Sequence, residues 1–229
     1  MTIRLYIDYM SQPCRAILIF CGIAKIPIEI TEVNLSSGAH LKPPHSTLNP
    51  SRRIPFIIDT TEQDFLVFES EAIVRYLSAK YLAPKNSLYP RDSLDKQLQV
   101  ENALQYYYKS IRPIALPVYI KILAPFFNQE RLYDKDACHK QAKQILGELD
   151  LWLENRIYIT DLNCLTVADI FVYCEVVQLG IISFDIKKFR NLVDWLNRVS
   201  VNKHVRDAHW RIREIVKAAD EPSLFANIV

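Results

Sequence analysis

Ile3-Arg4-Leu5-Tyr6-Ile7 runs into Ser11-Gln12-Pro13-Cys14-Arg15 and then into an apolar stretch from Ala16 to Ala24. The first segment reads as a buried strand, and Pro13 to about Gly22 as a largely buried helix with Gly22 as its C-cap. Between them a small hydroxyl stands where a helix leaves its first N–H groups unpaired and its dipole positive. Two readings follow. Ser11 or Gln12 closes the helix, with Pro13 in its first turn. Alternatively, the same position holds an anion. The residues that follow bear on the choice.

Ile28-Glu-Ile-Thr-Glu-Val33 alternates apolar and polar residues, the period of a half-buried strand. Strand, helix and strand within about thirty residues form a βαβ unit, whose strands are parallel. Asn34 to Asn49 carries Ser-Ser-Gly, Pro43-Pro44 and Asn49-Pro50, which break regular structure. Ile54-Pro-Phe-Ile-Ile58 and Phe65-Leu-Val-Phe68, joined through a polar loop from Asp59 to Asp64, read as a hairpin. Ser70 then caps a helix whose apolar residues include Ile73, Val74 and Leu77. The order β-α-β-loop-β-β-α is thioredoxin-like.

Leu82 to Pro90 is rich in turn residues and reads as a linker. Beyond it the pattern is helical at 92–127, 134–155, 167–179, 189–199 and 202–218, with Pro113, Pro117 and Pro125 kinking or breaking the first of these. The expected organisation is an α/β thioredoxin-like domain at 1–82, a linker at 83–91 and an all-α domain at 92–229. Thr166-Val-Ala-Asp169 is a capping box ahead of an apolar run.

Composition narrows the function classes. Of 229 residues, 50% are apolar and 24% charged, as in ordinary globular proteins, and a net charge of +2 gives no argument for nucleic acid or membrane partners. Glycine is scarce at 4 residues, which fits a helix-rich chain with compact loops. The 5 cysteines, Cys14, Cys21, Cys138, Cys164 and Cys174, are odd in number and none pair as C-x-x-C. That speaks against a metal site or disulfide framework and for reduced thiols in the cytoplasm. The N-terminus goes directly into a strand, so no signal peptide is expected.

Ile54-Pro55 opens a strand, where either a trans proline at an edge or a cis bond is compatible with the pattern. Glu69-Ser70 reads as a helix cap and equally as a carboxylate-binding helix start. His40, Arg52 and Arg53 flank the irregular loop.

Ser-Gln-Pro-Cys-Arg after the first strand, Gly38-Ala-His40, Asn49-Pro50 with Arg53-Ile-Pro55, Phe68-Glu-Ser70, Ile111-Arg112 and Leu165-Thr-Val-Ala-Asp169 occur in one order. Together they resemble the cytosolic glutathione transferases, and the serine in its SQPxR context is most similar to the theta class. The resemblance implies a homodimeric enzyme that uses glutathione as co-substrate, without a separate cofactor, and conjugates it to a small electrophile. It implies that Ser11 is the catalytic serine, donating a hydrogen bond to the glutathione sulfur, and that Arg112 polarises the thiolate or an anionic leaving group. It implies that Ile54, before a cis-Pro55, pairs by backbone with the cysteinyl part. Glu69 and Ser70 hold the γ-glutamyl end, and His40 and Arg53 the glycine carboxylate. Leu41 occupies a glycine-end position where the theta class often has Lys, so affinity there is expected to be lower. Arg53 replaces a usual Lys and keeps the charge. The segment after the last helix is shorter than theta enzymes usually carry, which implies a more open electrophile pocket. Tyr9, Met10, Tyr108, Leu116 and Tyr119 are candidates to line it.

Two rival readings remain on the sequence. One is a binding protein on the same fold that turns over poorly. The other is a glutathione-dependent thiol transferase using Cys14, because Ser11-x-x-Cys14 has the spacing of C-x-x-C. In the second, Cys14 must be exposed and low in pKa; as a small buried residue it is inert.

Overall fold

The computed structural model describes residues 2–122, 124 and 134–217. Four strands form one sheet in the order β2-β1-β3-β4. β1 (Ile3–Ile7) pairs in parallel with β2 (Ile28–Glu32), Ile3 opposite Ile28, through α1 (Gln12–Ala24). The parallel pairing expected of the βαβ unit is present. β3 (Phe56–Asp59) lies antiparallel to β1, Ile3 opposite Asp59, and joins β4 (Phe65–Phe68) in the hairpin. The strand opens at Phe56 rather than at Ile54, and the Ile54-Pro55 bond is cis. The irregular loop holds a 3-10 turn at Ala39–Leu41 and one helical turn, α2 (His45–Leu48). α3 (Ser70–Tyr81) closes this half, which is thioredoxin-like.

Gly22 is not the C-cap. It lies inside α1, and Lys25, at φ 56°, takes the left-handed cap position while its N–H reaches Cys21 and Gly22. What sets glycine at 22 is the approach of a later helix: a Cβ there would stand 2.6 Å from the His204 ring. Ser70 likewise is the first residue of α3 and not its N-cap. Glu69 holds the cap position at φ 65°, a region that costs an ordinary residue of order 1 kcal/mol or more.

The helical half follows. The run read as one helix over 92–127 is split. α4 (Leu94–Tyr106) passes into a π turn at Tyr107–Ile111 and a 3-10 turn at Arg112–Ala115, and then into α5 (Leu116–Ile122). The break falls at Pro113, whose missing N–H suits the start of a new turn, and Pro117 is accommodated early in α5. Pro125 and the end of that run lie outside the described residues. α6 (Lys135–Trp152) is capped by Asp134, which accepts from the Ala137 N–H at 3.0 Å. α7 (Val167–Val176) starts at the capping box of Thr166 and Asp169. Asp169 also accepts from the Ile159 N–H and the Trp195 indole, at 2.8 and 3.0 Å, so the box doubles as a buried junction. α8 (Arg190–Ser200) follows. The last run, read as 202–218, divides at His209 into α9 (Lys203–Ala208) and α10 (Trp210–Lys217), and its final residue lies outside the described part.

α7 is buried along its whole length, as a helix apolar on every side must be. It packs on α1, and one continuous apolar core joins Ile3, Phe20 and Leu77 of the first half to Phe171, Leu192 and Trp195 of the second. Among the described residues no helix is long and apolar enough to cross a membrane.

Candidate active site

The loop between β1 and α1 is built on Asp8. Its buried carboxylate accepts from the Met10 N–H at 2.8 Å and the Leu35 N–H at 2.9 Å, and its carbonyl accepts from the Ser11 N–H at 3.0 Å. Two segments far apart in sequence are thereby fixed to the strand end. Ser11 takes the N-cap position of α1 with φ −80° and ψ 124°, yet its side chain makes no capping hydrogen bond. The capping reading therefore holds for the backbone and not for the hydroxyl.

Ser11 lines a cleft of about 470 Å³ together with Met10, Gln12, Pro13, Leu35, His40, Arg52, Arg53, Ile54, Arg112 and Tyr119. Five of the expected residues, Ser11, His40, Arg53, Ile54 and Arg112, thus meet around one space. Three arginines on its wall make it a site for an anion. Burial pushes the His40 imidazole down, Asp8 opposing and His45 adding to the effect, and His40 Nδ1 is buried without a hydrogen-bond partner. Asn49 shapes the arginine wall: its amide donates to the Arg53 carbonyl at 2.9 Å and its Oδ1 accepts from the Ser51 N–H at 3.0 Å.

Glu69, Ser70 and Leu41 are not on that wall. Leu41 and Glu69 are exposed, whereas Ser70 is buried with its hydroxyl 2.5 Å from the Tyr108 phenol oxygen. Burial pushes the Tyr108 phenol up to about 12, with the Ser70 bond opposing.

A second cleft, about 360 Å³, adjoins the first through the shared residues Gln12, Arg112 and Tyr119, and adds Tyr108, Pro113, Ala115, Leu116 and Glu175. Three of the five expected pocket residues line it. Met10 lines the first cleft instead, and Tyr9 stacks edge-on against Trp210 with Arg211 over its ring. Arg112 lies with its guanidinium 5.7 Å from the centre of the Tyr108 ring. Burial opposes its charge, but Tyr107 and Glu175 outweigh that and hold it protonated.

Cys14, three residues beyond Ser11, is fully buried, and burial pushes its thiol up to about 12 against the opposing influence of the nearby Ser11 hydroxyl. A thiol so placed is not a nucleophile at neutral pH. The neighbouring Arg15 is fully buried as well. It donates to the carbonyls of Tyr9 and Cys174 and to the Gln178 side chain, at 2.7, 3.0 and 2.8 Å.

Sequence reading missed Asp8 and Glu175, and quoted Asn49 within a motif without a role. Asp8 was detectable as a charge directly after an apolar strand and before the helix-start serine. Glu175 and Asp169 are the two acidic residues in the otherwise apolar run from Val167 to Val177.

Family models of the glutathione S-transferase N-terminal and C-terminal domains match residues 10–80 and 111–202. Mouse glutathione S-transferase theta-3 is 30% identical, over 98% of this chain and 92% of that protein. Glutathione S-transferase T3 of Arabidopsis thaliana is 29% identical over 91% of this chain, which spans only 37% of that longer protein. The crystal structure of human glutathione transferase theta-2, in complex with glutathione and an unknown ligand, superposes with a TM-score of 0.80 at 26% identity. That superposition covers 98% of this chain and 95% of that one.

Proposed function

The chain belongs to the glutathione S-transferase family, similar to its theta class, and on that premise we propose that it conjugates the glutathione thiolate to a small electrophile, with Ser11 stabilising the thiolate. The observation that carries this reading is the Ser11 hydroxyl: it stands at the N-terminus of α1, on the wall of a cationic cleft, and is not spent on capping the helix.

A free thiol has a pKa of about 8.5, so only a few per cent is ionised at neutral pH. Lowering it by about 2 units needs about 2.7 kcal/mol. One hydrogen bond to a charged sulfur contributes about 1.5–3 kcal/mol and the helix N-terminus about 0.3–1 kcal/mol. The two together suffice without a general base. Ser11 is the donor; the sulfur of glutathione is the nucleophile, forming the bond to carbon as the leaving group departs.

In this reading the first cleft holds glutathione. Arg53 and His40 face its glycine carboxylate, Ile54 pairs with its cysteinyl backbone, and the γ-glutamyl end extends past the cleft wall to Glu69 and Ser70 at the positive start of α3. Exposed Leu41 supplies no charge at the glycine end. The second cleft takes the electrophile, and Arg112, common to both clefts, faces the departing anion. The free state of all 5 cysteines fits a cytoplasmic detoxifying role. A homodimer is part of the proposal, and sedimentation at micromolar concentration tests it: a species near 26.6 kDa would contradict it. Turnover of glutathione with a panel of alkyl halides, aryl halides and hydroperoxides tests the activity. Tight glutathione binding with no turnover on any of them would favour a binding protein instead.

A further inference from the structure

Glu175 stands on α7, whose every residue is buried, and is itself 0% exposed. Its Oε2 accepts from the Tyr107 hydroxyl at 2.7 Å. Its Oε1 has no hydrogen-bond partner. A buried acceptor left unpaired costs about 1–3 kcal/mol, so an orphaned carboxyl oxygen in a packed helix calls for a partner from outside the chain. The second cleft offers the route, because Glu175 and Arg112 both line it.

We propose that Glu175 is a specificity-determining acceptor on the floor of the second cleft, and that with Arg112 it selects electrophiles whose tail ends in a hydroxyl group. The choice of group follows by elimination. Glu175 and Arg112 attract one another electrostatically, but among the described residues neither forms an ion pair, and a ligand end in the cleft they both line meets the two together. A carboxylate there is repelled by Glu175 and an ammonium by Arg112. An apolar end leaves Oε1 unpaired. A neutral end that both donates and accepts satisfies both, and a hydroxyl is the smallest such group: it donates to Glu175 and accepts from Arg112. The walls contributed by Pro113, Ala115, Leu116 and Tyr108 suit an apolar linker between that hydroxyl and the reacting carbon. The other groups acting on the carboxyl are Tyr107 and the buried Arg15. Burial pushes Glu175 up to about 7, and Oε1 can accept a hydrogen bond in either protonation state.

The inference rests on the glutathione-transferase reading, and the test separates the two. Calorimetry compares S-hexylglutathione with S-(5-hydroxypentyl)glutathione, which match in heavy atoms and differ in the end group. The native chain should bind the hydroxyl-ended conjugate about fivefold or more tightly, the equivalent of one hydrogen bond. Replacing Glu175 alone strands the Tyr107 hydroxyl, so the informative variant is Tyr107→Phe/Glu175→Met, which removes both polar partners together. It should lose the preference, while Tyr107→Phe alone should keep it. Equal binding of the two conjugates by the native chain, or a preference that survives in the double variant, overturns the role of Glu175 and leaves the glutathione site standing. Binding of neither conjugate overturns both. Should the double variant fail to fold, equal binding of the two conjugates by the native chain still overturns the proposal.

Discussion

Arg15 Nη2 on α1 lies 2.8 Å from Gln178 Oε1, just beyond α7, and so a buried cation ties the helix that carries Ser11 to the helical half of the molecule. Gln178 is one of three acceptors for that guanidinium, with the carbonyls of Tyr9 and Cys174. Arg15→Met leaves all three without their donor. The expected loss is at least about 3 kcal/mol, or about 6–12 °C in Tm for a chain of this size. Arg15→Lys should recover little, because one ammonium does not reproduce the fork. Thermal unfolding checks this, and a shift below about 2 °C for the Met variant would refute the clamp.

Asp59, at the end of β3, is built to stay charged. Burial alone would raise its pKa, but Lys80 at 2.6 Å, Thr61 at 2.6 Å and Tyr76 at 2.6 Å outweigh it and hold the carboxyl well below the usual range. A depressed folded pKa gives stability that is complete above the unfolded value of about 3.9 and is lost as pH falls below it. Tyr76→Phe and Lys80→Met should each move the midpoint of acid unfolding to higher pH. An unchanged midpoint in both, followed by circular dichroism, would mean these bonds contribute nothing.

Glu175 carries the opposite sign. Burial raises it to about 7, against Arg112, Tyr107 and Arg15, so its contribution is complete below the unfolded pKa and disappears as pH rises through about 7. Glu175→Gln removes the buried charge. The variant should gain on the native chain by on the order of 3 kcal/mol between pH 5 and pH 8. Tm differences that stay constant across that range would show that Glu175 does not titrate there.

The Ser70 hydroxyl is shared with Tyr108 at 2.5 Å, which links the proposed γ-glutamyl end to the wall of the second cleft. Ser70→Ala should raise KM for glutathione by about tenfold with kcat little changed, the mark of lost ground-state binding. Tyr108→Phe separates the two roles of the hydroxyl, since it breaks the pair without touching Ser70. If both substitutions raise KM equally, Ser70 acts only by holding Tyr108.

What the sequence yields here depends on the range of the interaction involved. The period-2 alternation at Ile28–Val33 and the apolar β1 sufficed for the parallel pair, because pleat and crossover geometry are local. Thr166 and Asp169 are three apart and declare themselves. Gly22 misled because glycine near a helix end reads as a cap, whereas its spacing is set by His204 on α9. Glu69, not Ser70, took the cap position of α3 through a positive φ that an ordinary residue does not announce. Asp8 works through the Leu35 N–H, 27 residues away, and Asn49 through the Arg53 carbonyl, so neither forms a motif by itself. Ser11, His40, Arg53, Ile54 and Arg112 were each legible as family positions, and the fold brings them to one cleft. Glu69 and Ser70 stay off its wall, and the Ser70 hydroxyl is paired instead with Tyr108, 38 residues further on, which no local pattern announces.

The central claim is that Ser11 ionises glutathione while Cys14 only packs. Conjugation rates of Ser11→Ala and Cys14→Ser with one alkyl halide, from pH 6.5 to pH 9, test it most directly. Ser11→Ala should lose one hydrogen bond to a charged sulfur, about 1.5–3 kcal/mol, and slow conjugation at pH 6.5 by about ten- to a hundredfold. The deficit should shrink toward pH 9, where glutathione ionises unaided. Cys14→Ser should stay close to the native rate throughout. Full activity in Ser11→Ala at pH 6.5, or its loss in a folded Cys14→Ser, would contradict the account.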